Sequence, residues 1–349
     1  MRREQRKNLL RAIVNQVRKQ EYPYEPREKK EIDWSSYDRA QINEVNDMLC
    51  MIRDTVDAAW RRLQPALERE KGPGIPPVPV PDLAKAVLVQ QYFEVSNRET
   101  EGLMLLFEEK LGLTRPFSYK SVERAYGNGD VKRVLDELFR ITQTPVLGLE
   151  TSQAVDGTGM PTSSKVNYEN DKRKGKMARF EHVLTAIGTT YKLYSSVVTM
   201  ESPTDNESPY FPLAVQDMSR YTNLEFVEGD AAFLSRLNCR LVSSLGAEPR
   251  FMPKSSCTFK RGGSDSYVRM LWRFVEDTQE WLREYHPRSI AESGFSAEKR
   301  RDPRPIRRRL KDRKFTEIKA RFCRENLRRL CYLWYLDGIS LDCQRVVSS

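Results

Sequence analysis

Apolar residues recur at helical spacing from the start of the chain. Leu9, Leu10, Ile13, Val14 and Val17 share one side of a segment whose other positions are mostly Arg, Lys, Gln and Asn. That pattern predicts a basic amphipathic helix, suited either to packing or to polyanion contact. A second helical period runs from Ile42 to Leu67. Residues 71–82, KGPGIPPVPVPD, hold five prolines and two glycines in twelve positions and read as a stiff linker. Short helices follow. AKAVLVQQYFEV is apolar, Ser96 with Glu99 three residues on forms a capping box, Ser118 offers a cap after Pro116, and a last helix spans about Asp130–Ile141.

The texture changes after Thr144. QAVDGTG, MARFEHVLTAIG and YKLYSSVVTM read as three strands joined by turns, and NLEFVEG and PRFMP as two more. Helices are predicted at Tyr210–Tyr221, over AAFLSRLNCRLVSSLG, and from Asp265 to about Arg301. Three strands, a helix, a strand, a helix, a strand and a helix make a mixed α/β sheet, its first three strands a meander. The domain order is then a helical region at 1–70, the linker at 71–82, a helical region at 83–143, an α/β domain at 144–335 and a tail at 336–349. The short helices of 83–143 suit a helix-turn-helix that sets one helix in a DNA major groove, or a bundle used for packing or dimerisation.

Charge sharpens this picture. Lys and Arg number 59 against 49 Asp and Glu, giving a net charge of +10 in 349 residues. A polyanionic partner is favoured, nucleic acid first. The surplus is concentrated, since Lys299–Lys314 holds ten Lys or Arg against two Asp. This run, with Arg300, Arg301, Arg307, Arg308 and Arg309, is a candidate phosphate-binding stretch. The basic loop KVNYENDKRKGKMAR at 165–179 is another. The six cysteines form no CxxC and the two histidines stand at no zinc spacing, so reduced thiols in a cytoplasmic chain are expected. No apolar run of membrane-spanning length exists, nor does the N-terminus show a signal-peptide apolar stretch.

The densest candidate chemistry lies near residue 290. Tyr285, Arg288, Glu292 and Lys299 follow the spacing Y-x2-R-x3-E-x6-K. On a helix these four fall within roughly 60° of one another. Two further acids stand beside strands: Asp156, before Gly157-Thr158-Gly159, and Asp230, before Ala231-Ala232-Phe233. Each alone has an ordinary structural explanation, as a turn, an N-cap or a solvated salt-bridge face. Together they suit phosphoryl transfer. Carboxylates at strand ends sit at the mouth of an α/β sheet. Mg²⁺ prefers a few carboxylates, with water and phosphate completing its shell. Arg288 and Lys299 would hold flanking phosphates.

Residues 145–335 resemble the catalytic domain of the DDE transposases of prokaryotic insertion sequences. The carriers are the Y-x2-R-x3-E-x6-K signature, VDGTG around Asp156 and GDAAF around Asp230, in that order. Residues 83–141 resemble the helical region that precedes the first Asp. The resemblance implies an RNase H-like fold and two Mg²⁺ or Mn²⁺ ions on Asp156, Asp230 and Glu292. It implies DNA contacts from Tyr285, Arg288 and Lys299, and a homo-oligomer on double-stranded DNA that cuts terminal inverted repeats and joins them to target DNA. One departure stands out. Asp230 and Glu292 are 62 positions apart, too close for the large β-rich insertion of many such relatives. A hairpin intermediate is therefore not implied. Two alternatives remain: an RNase H-like metal-dependent nuclease, and a non-catalytic DNA-binding protein derived from a transposase. Trp272 and Trp281 are candidates for base stacking or for core.

Overall fold

A computed structural model describes residues 3–23, 25, 31–67, 76–163, 179–201, 206–260, 262–289, 294 and 304–339. Most of the basic loop at 165–179 and residues 340–349 of the tail lie outside these. The chain divides into two compact units. One comprises Met1–Glu31, Gly148–Gly159 and Glu181–Ala297; the other Ile32–Leu147, Met160–Phe180 and Glu298–Ser349. Each gathers segments far apart in sequence.

The first unit is built on a five-stranded sheet. Its strands are β1 (Ser152–Pro161), β2 (Phe180–Gly188), β3 (Tyr194–Thr199), β4 (Phe226–Gly229) and β5 (Glu248–Phe251), in the order β3-β2-β1-β4-β5. β2 and β3 are antiparallel, whereas β1, β4 and β5 run parallel. The mixed α/β sheet expected from the pattern is present, with all five strands near their expected positions. Helix α1 (Arg3–Arg18) belongs here: Leu10, Ile13 and Val14 are buried with Val155, Leu184, Val227 and Phe251. Its apolar stripe thus covers core, the first of the two roles its pattern allowed.

The long helix expected from Asp265 to about Arg301 is broken. Asp277 adopts φ −138° and ψ 76°, and its carboxylate accepts the Glu280 N–H at 3.1 Å. A new N-cap here ends one helix (Asp265–Glu276) and starts another (Thr278–Tyr285). A 3-10 turn, His286–Arg288, follows, with Pro287 lacking the N–H that a continuing helix needs. A period of 3.6 cannot register a one-residue break when apolar spacing resumes on the same side.

The second unit is helical. It contains α2 (Trp34–Leu67), α3 (Val80–Phe93), α4 (Asn97–Leu106), α5 (Glu108–Leu111), α6 (Tyr119–Ala125) and α7 (Gly129–Gln143); α2, α3 and α7 pack on the C-terminal helix Lys311–Asp337, and α4 and α6 pack on α3 and on each other. The capping box at Ser96 forms as expected, Ser96 Oγ accepting from Glu99 N and Glu99 from Ser96 N. Ser118 makes no cap bond; the Glu101 carboxylate takes the Tyr119 N–H at 2.8 Å instead. That partner is 18 residues away, beyond any local capping rule.

Glu44 ties α2 to the C-terminal helix. Arg328 donates to both its oxygens at 2.8 Å, and Tyr332 and Tyr92 add hydroxyl bonds. Burial alone would raise this carboxyl, but the Arg328 and tyrosine bonds outweigh it and hold Glu44 below its usual value. A depressed carboxylate stabilises the fold above its unfolded value, and that stability fades as pH falls through the folded one. Glu44→Gln should therefore cost about 1–3 kcal/mol at neutral pH. The difference from wild type should shrink below about pH 4.5, as read from guanidinium midpoints at both pH values.

Candidate active site

Strand register brings the two aspartates together. Val155 of β1 lies opposite Gly229 of β4, and in each strand direction the next residue is an aspartate, Asp156 and Asp230. Neighbouring strands lie about 4.8 Å apart, so the two backbones stand side by side. Alternation puts Asp156 on the face of Ala154, and Asp230 on the face of its partner Glu228. Asp156 does not end its strand as the sequence pattern suggested; β1 continues through Gly159 to Pro161. The carboxylate of Asp156 accepts the Gly157 N–H at 3.0 Å, and that of Asp230 accepts the Ala232 N–H at 2.7 Å. An added Cβ at Gly157 would lie 2.1 Å from the Glu207 carboxylate, so any side chain there would have to displace Glu207.

Tyr285 and Arg288 come to the same place from the far end of this unit. The Tyr285 hydroxyl donates to the Gly229 carbonyl at 3.2 Å, one residue before Asp230. Arg288 Nη1 lies 3.7 Å from Asp156 Oδ2, and its guanidinium sits 5.6 Å from the Tyr285 ring. Burial pushes the Tyr285 phenol well up; Arg288 opposes this, while Asp230 and Glu228 add to it. The phenol therefore stays protonated and acts as a donor. Glu292, Lys299, Arg300 and Arg301 lie outside the described residues. Gly294, two positions past Glu292, is packed so closely on β2 and β3 that a Cβ there would meet Tyr194 Oη at 2.7 Å and Ile187 Cδ1 at 3.4 Å.

A buried ladder of charges fixes the helix that ends in Tyr285. Ser152 donates to Glu228 at 2.8 Å, and Glu228 faces Arg250 at 3.8 Å. Arg250 then meets Glu284 at 3.0 Å, and Glu284 also takes Arg273 at 3.1 Å. Burial pushes the Glu228 carboxyl up to about 7, against the pull of Ser152 and Arg250. Short sequence motifs do not reveal this ladder. Its one local signal was Glu228 itself, an acid inside an apolar strand two residues before Asp230.

Trp281 is core, 1% exposed and stacked on Tyr285 at 4.8 Å. Trp272 is half-buried between Phe259 and the Arg6 guanidinium. A cavity of about 480 Å³ beside these residues opens at the amino end of β5, around Gly246 to Arg250. That is the opposite sheet edge from Asp230, so the cavity is separate from the aspartate pair. In the helical unit, Arg307 donates to the Val95 carbonyl at 3.0 Å. Arg308 donates to Gln90 at 2.7 Å and Asn97 at 2.9 Å and lies 3.8 Å over the Tyr126 ring. Buried Glu317 takes both of their backbone N–H groups. Arg309 is exposed.

The chain is 32% identical over 238 residues to a protein of Archaeoglobus fulgidus described as "Probable transposase for insertion sequence element ISA1214". The match covers 67% of this chain and 70% of that protein. The chain belongs to the insertion-sequence transposases. No family model matches it. No solved structure matches it either. Among the described residues of this transposase, no helix is long and apolar enough to cross a membrane. None of them form a cluster of three or more His, Cys, Asp or Glu able to hold a metal. The Asp156–Asp230 pair is thus a two-carboxylate site as far as the described residues go.

The ladder carries a stability prediction. Arg250→Ala leaves buried Glu228 without its cation, while Glu284 keeps Arg273, and should cost about 3–5 kcal/mol. Urea denaturation of the full chain would read this as a lower midpoint with an unchanged slope.

Proposed function

We propose that this transposase is of the DDE type, with Asp156, Asp230 and Glu292 as its carboxylates. It would cut double-stranded DNA at the terminal inverted repeats of an insertion sequence and transfer the freed ends to target DNA, as a homo-oligomer in a prokaryotic cytoplasm. The observation that carries this is the register Val155 to Gly229, which sets two aspartates on adjacent parallel strands. The strand order, with an antiparallel pair on one side of β1 and two parallel strands on the other, supports an RNase H-like fold.

The donor set fits a hard divalent ion. Two carboxylates one strand spacing apart offer oxygen ligands, and a third from Glu292 would complete a site that leaves positions for water and phosphate. Mg²⁺ or Mn²⁺, two ions in such a site, supplies activation of an attacking oxygen and stabilisation of a leaving one. Asp156 and Asp230 would hold those ions, each carboxylate oriented by a backbone N–H bond, with Arg288 beside the second oxygen of Asp156. Arg288 pairs with Asp156, and its forked guanidinium suits a phosphodiester beside it. Tyr285 positions the strand end through Gly229. Lys299, Arg300 and Arg301 would extend the phosphate contacts, with exposed Arg309 a further contact and Arg307 and Arg308 serving through the segment they anchor. Between Asp230 and Tyr285 the described residues form one helix, one four-residue strand and two more helices, so no hairpin step is assigned.

The test is cleavage of duplex DNA bearing the sequences that flank the gene, with Mg²⁺ or Mn²⁺ present. Asp156→Asn, Asp230→Asn and Glu292→Gln should each lower end-specific cleavage by more than about 100-fold, the upper end for losing even an outer-shell metal partner. Undiminished cleavage in all three, or full activity in chelator, would sink the DDE reading. Cutting without preference for the ends would favour the nuclease alternative.

A further inference from the structure

Parallel strands β1, β4 and β5 all end on the same sheet edge, so the segment after Phe251 emerges beside the one carrying Asp230. The described residues of that segment, 252–260 and 262–264, are tied into the fold by specific contacts. Cys257 N donates to the Lys254 carbonyl at 2.9 Å, and Phe259 packs 5.2 Å from Trp272. Arg236, at the start of the helix Arg236–Ser244, donates to the Lys260 carbonyl at 3.2 Å and covers the Tyr267 ring at 4.7 Å. Gly262 has φ +51°, and an added Cβ would lie 2.6 Å from Arg236 Nε. Only glycine serves there, for both backbone angle and close approach. The same test at Gly263 finds Arg240 Nη1 at 3.8 Å.

The loop and helix therefore collect Arg236, Arg240, Lys254 and Lys260 beside the Asp230 edge. Arg250, Arg273 and Arg288 of the same unit are each paired with carboxylates. By contrast, the side chains of Arg240, Lys254 and Lys260 make no ion pair with any described residue. Arg240 and Lys260 are exposed and Lys254 partly so. Unpaired cations held by a fixed loop at the edge of a phosphoryl-transfer site match a nucleic-acid backbone.

We propose that this loop and helix start form a DNA-backbone contact surface, with Arg240, Lys254 and Lys260 binding phosphates of the duplex that enters the aspartate site. It rests on the DNA-cutting role proposed above and adds a binding face that the Tyr285–Lys299 signature does not supply. Such contacts are independent of base sequence, since they read charge and not base edges.

The experiment compares the full chain with the triple variant Arg240→Gln, Lys254→Gln, Lys260→Gln. Both are titrated with a random-sequence duplex of about 30 base pairs, roughly three helical turns, over a range of salt. Each lost phosphate contact should reduce the slope of log K against log salt by about 0.9, so the triple variant should lose roughly 2–3 and bind more than about tenfold more weakly at low salt. The charge-retaining variant Arg240→Lys, Lys254→Arg, Lys260→Arg should keep the wild-type slope, which separates charge from folding. An unchanged slope in the Gln variant overturns the proposal, as does an equal loss in the charge-retaining one. Wild-type chain that binds no duplex at all sinks the transposase mechanism as well; binding with an unaltered slope sinks this surface alone.

Discussion

The parallel ladder between β1 and β4 is the constraint on which the rest turns. Four consecutive pairs, from Ser152 opposite Phe226 to Val155 opposite Gly229, set two aspartates level at the next step. A slip of one residue would leave one aspartate facing away from the other, because side chains alternate between sheet faces. The register is in turn held by burial. Val155, Val227 and Phe251 share one face and pack in the same core as Leu10, Phe211 and Phe233. The position of the two aspartates is thus decided by apolar residues of the core.

Charge is handled in two ways within the sheet unit. In its interior, Glu228, Arg250 and Glu284 are joined in a buried ladder that ends on the half-exposed Arg273. Uncompensated buried charge costs several kcal/mol, so these groups come as a set. The ladder holds the helix that delivers Tyr285 and Arg288 to the aspartates. Along the Asp230 edge, Arg240, Lys254 and Lys260 make no ion pair with any described carboxylate. In the helical unit, buried Glu317 performs the compensating role. It gathers the backbone of Arg307 and Arg308 and the side chain of Arg321, so part of the basic run is bound into structure.

Much of the fold was legible because its signals are local. The short apolar, β-branched runs in MARFEHVLTAIG and YKLYSSVVTM, bounded by turn residues, marked β2 and β3, and the Ser96–Glu99 box marked α4, because both depend on residues within a few positions. The candidate site was legible in part. Spacing named Asp156, Asp230, Tyr285 and Arg288, and the fold brings those four together. Signals involving distant partners were lost. Asp277 ends a helix whose apolar period continues past it. Glu101 takes the cap that Ser118 was expected to make. Arg308 looked like a phosphate contact and is committed to Gln90 and Asn97, more than 200 residues away.

By itself the sequence determined the element order, the mixed-sheet class, the basic character and the identity of the two aspartates with their Tyr and Arg companions. These follow from periodicity and short spacing, which act along the chain. Tertiary structure alone decided that α1 belongs to the sheet core, that Glu228 is buried in a charge ladder, and which cations pair with carboxylates among the described residues. Those outcomes depend on which faces meet once the apolar surfaces are buried. Residues hundreds of positions apart then become neighbours, and a charge is spent or left available according to the partner it happens to face.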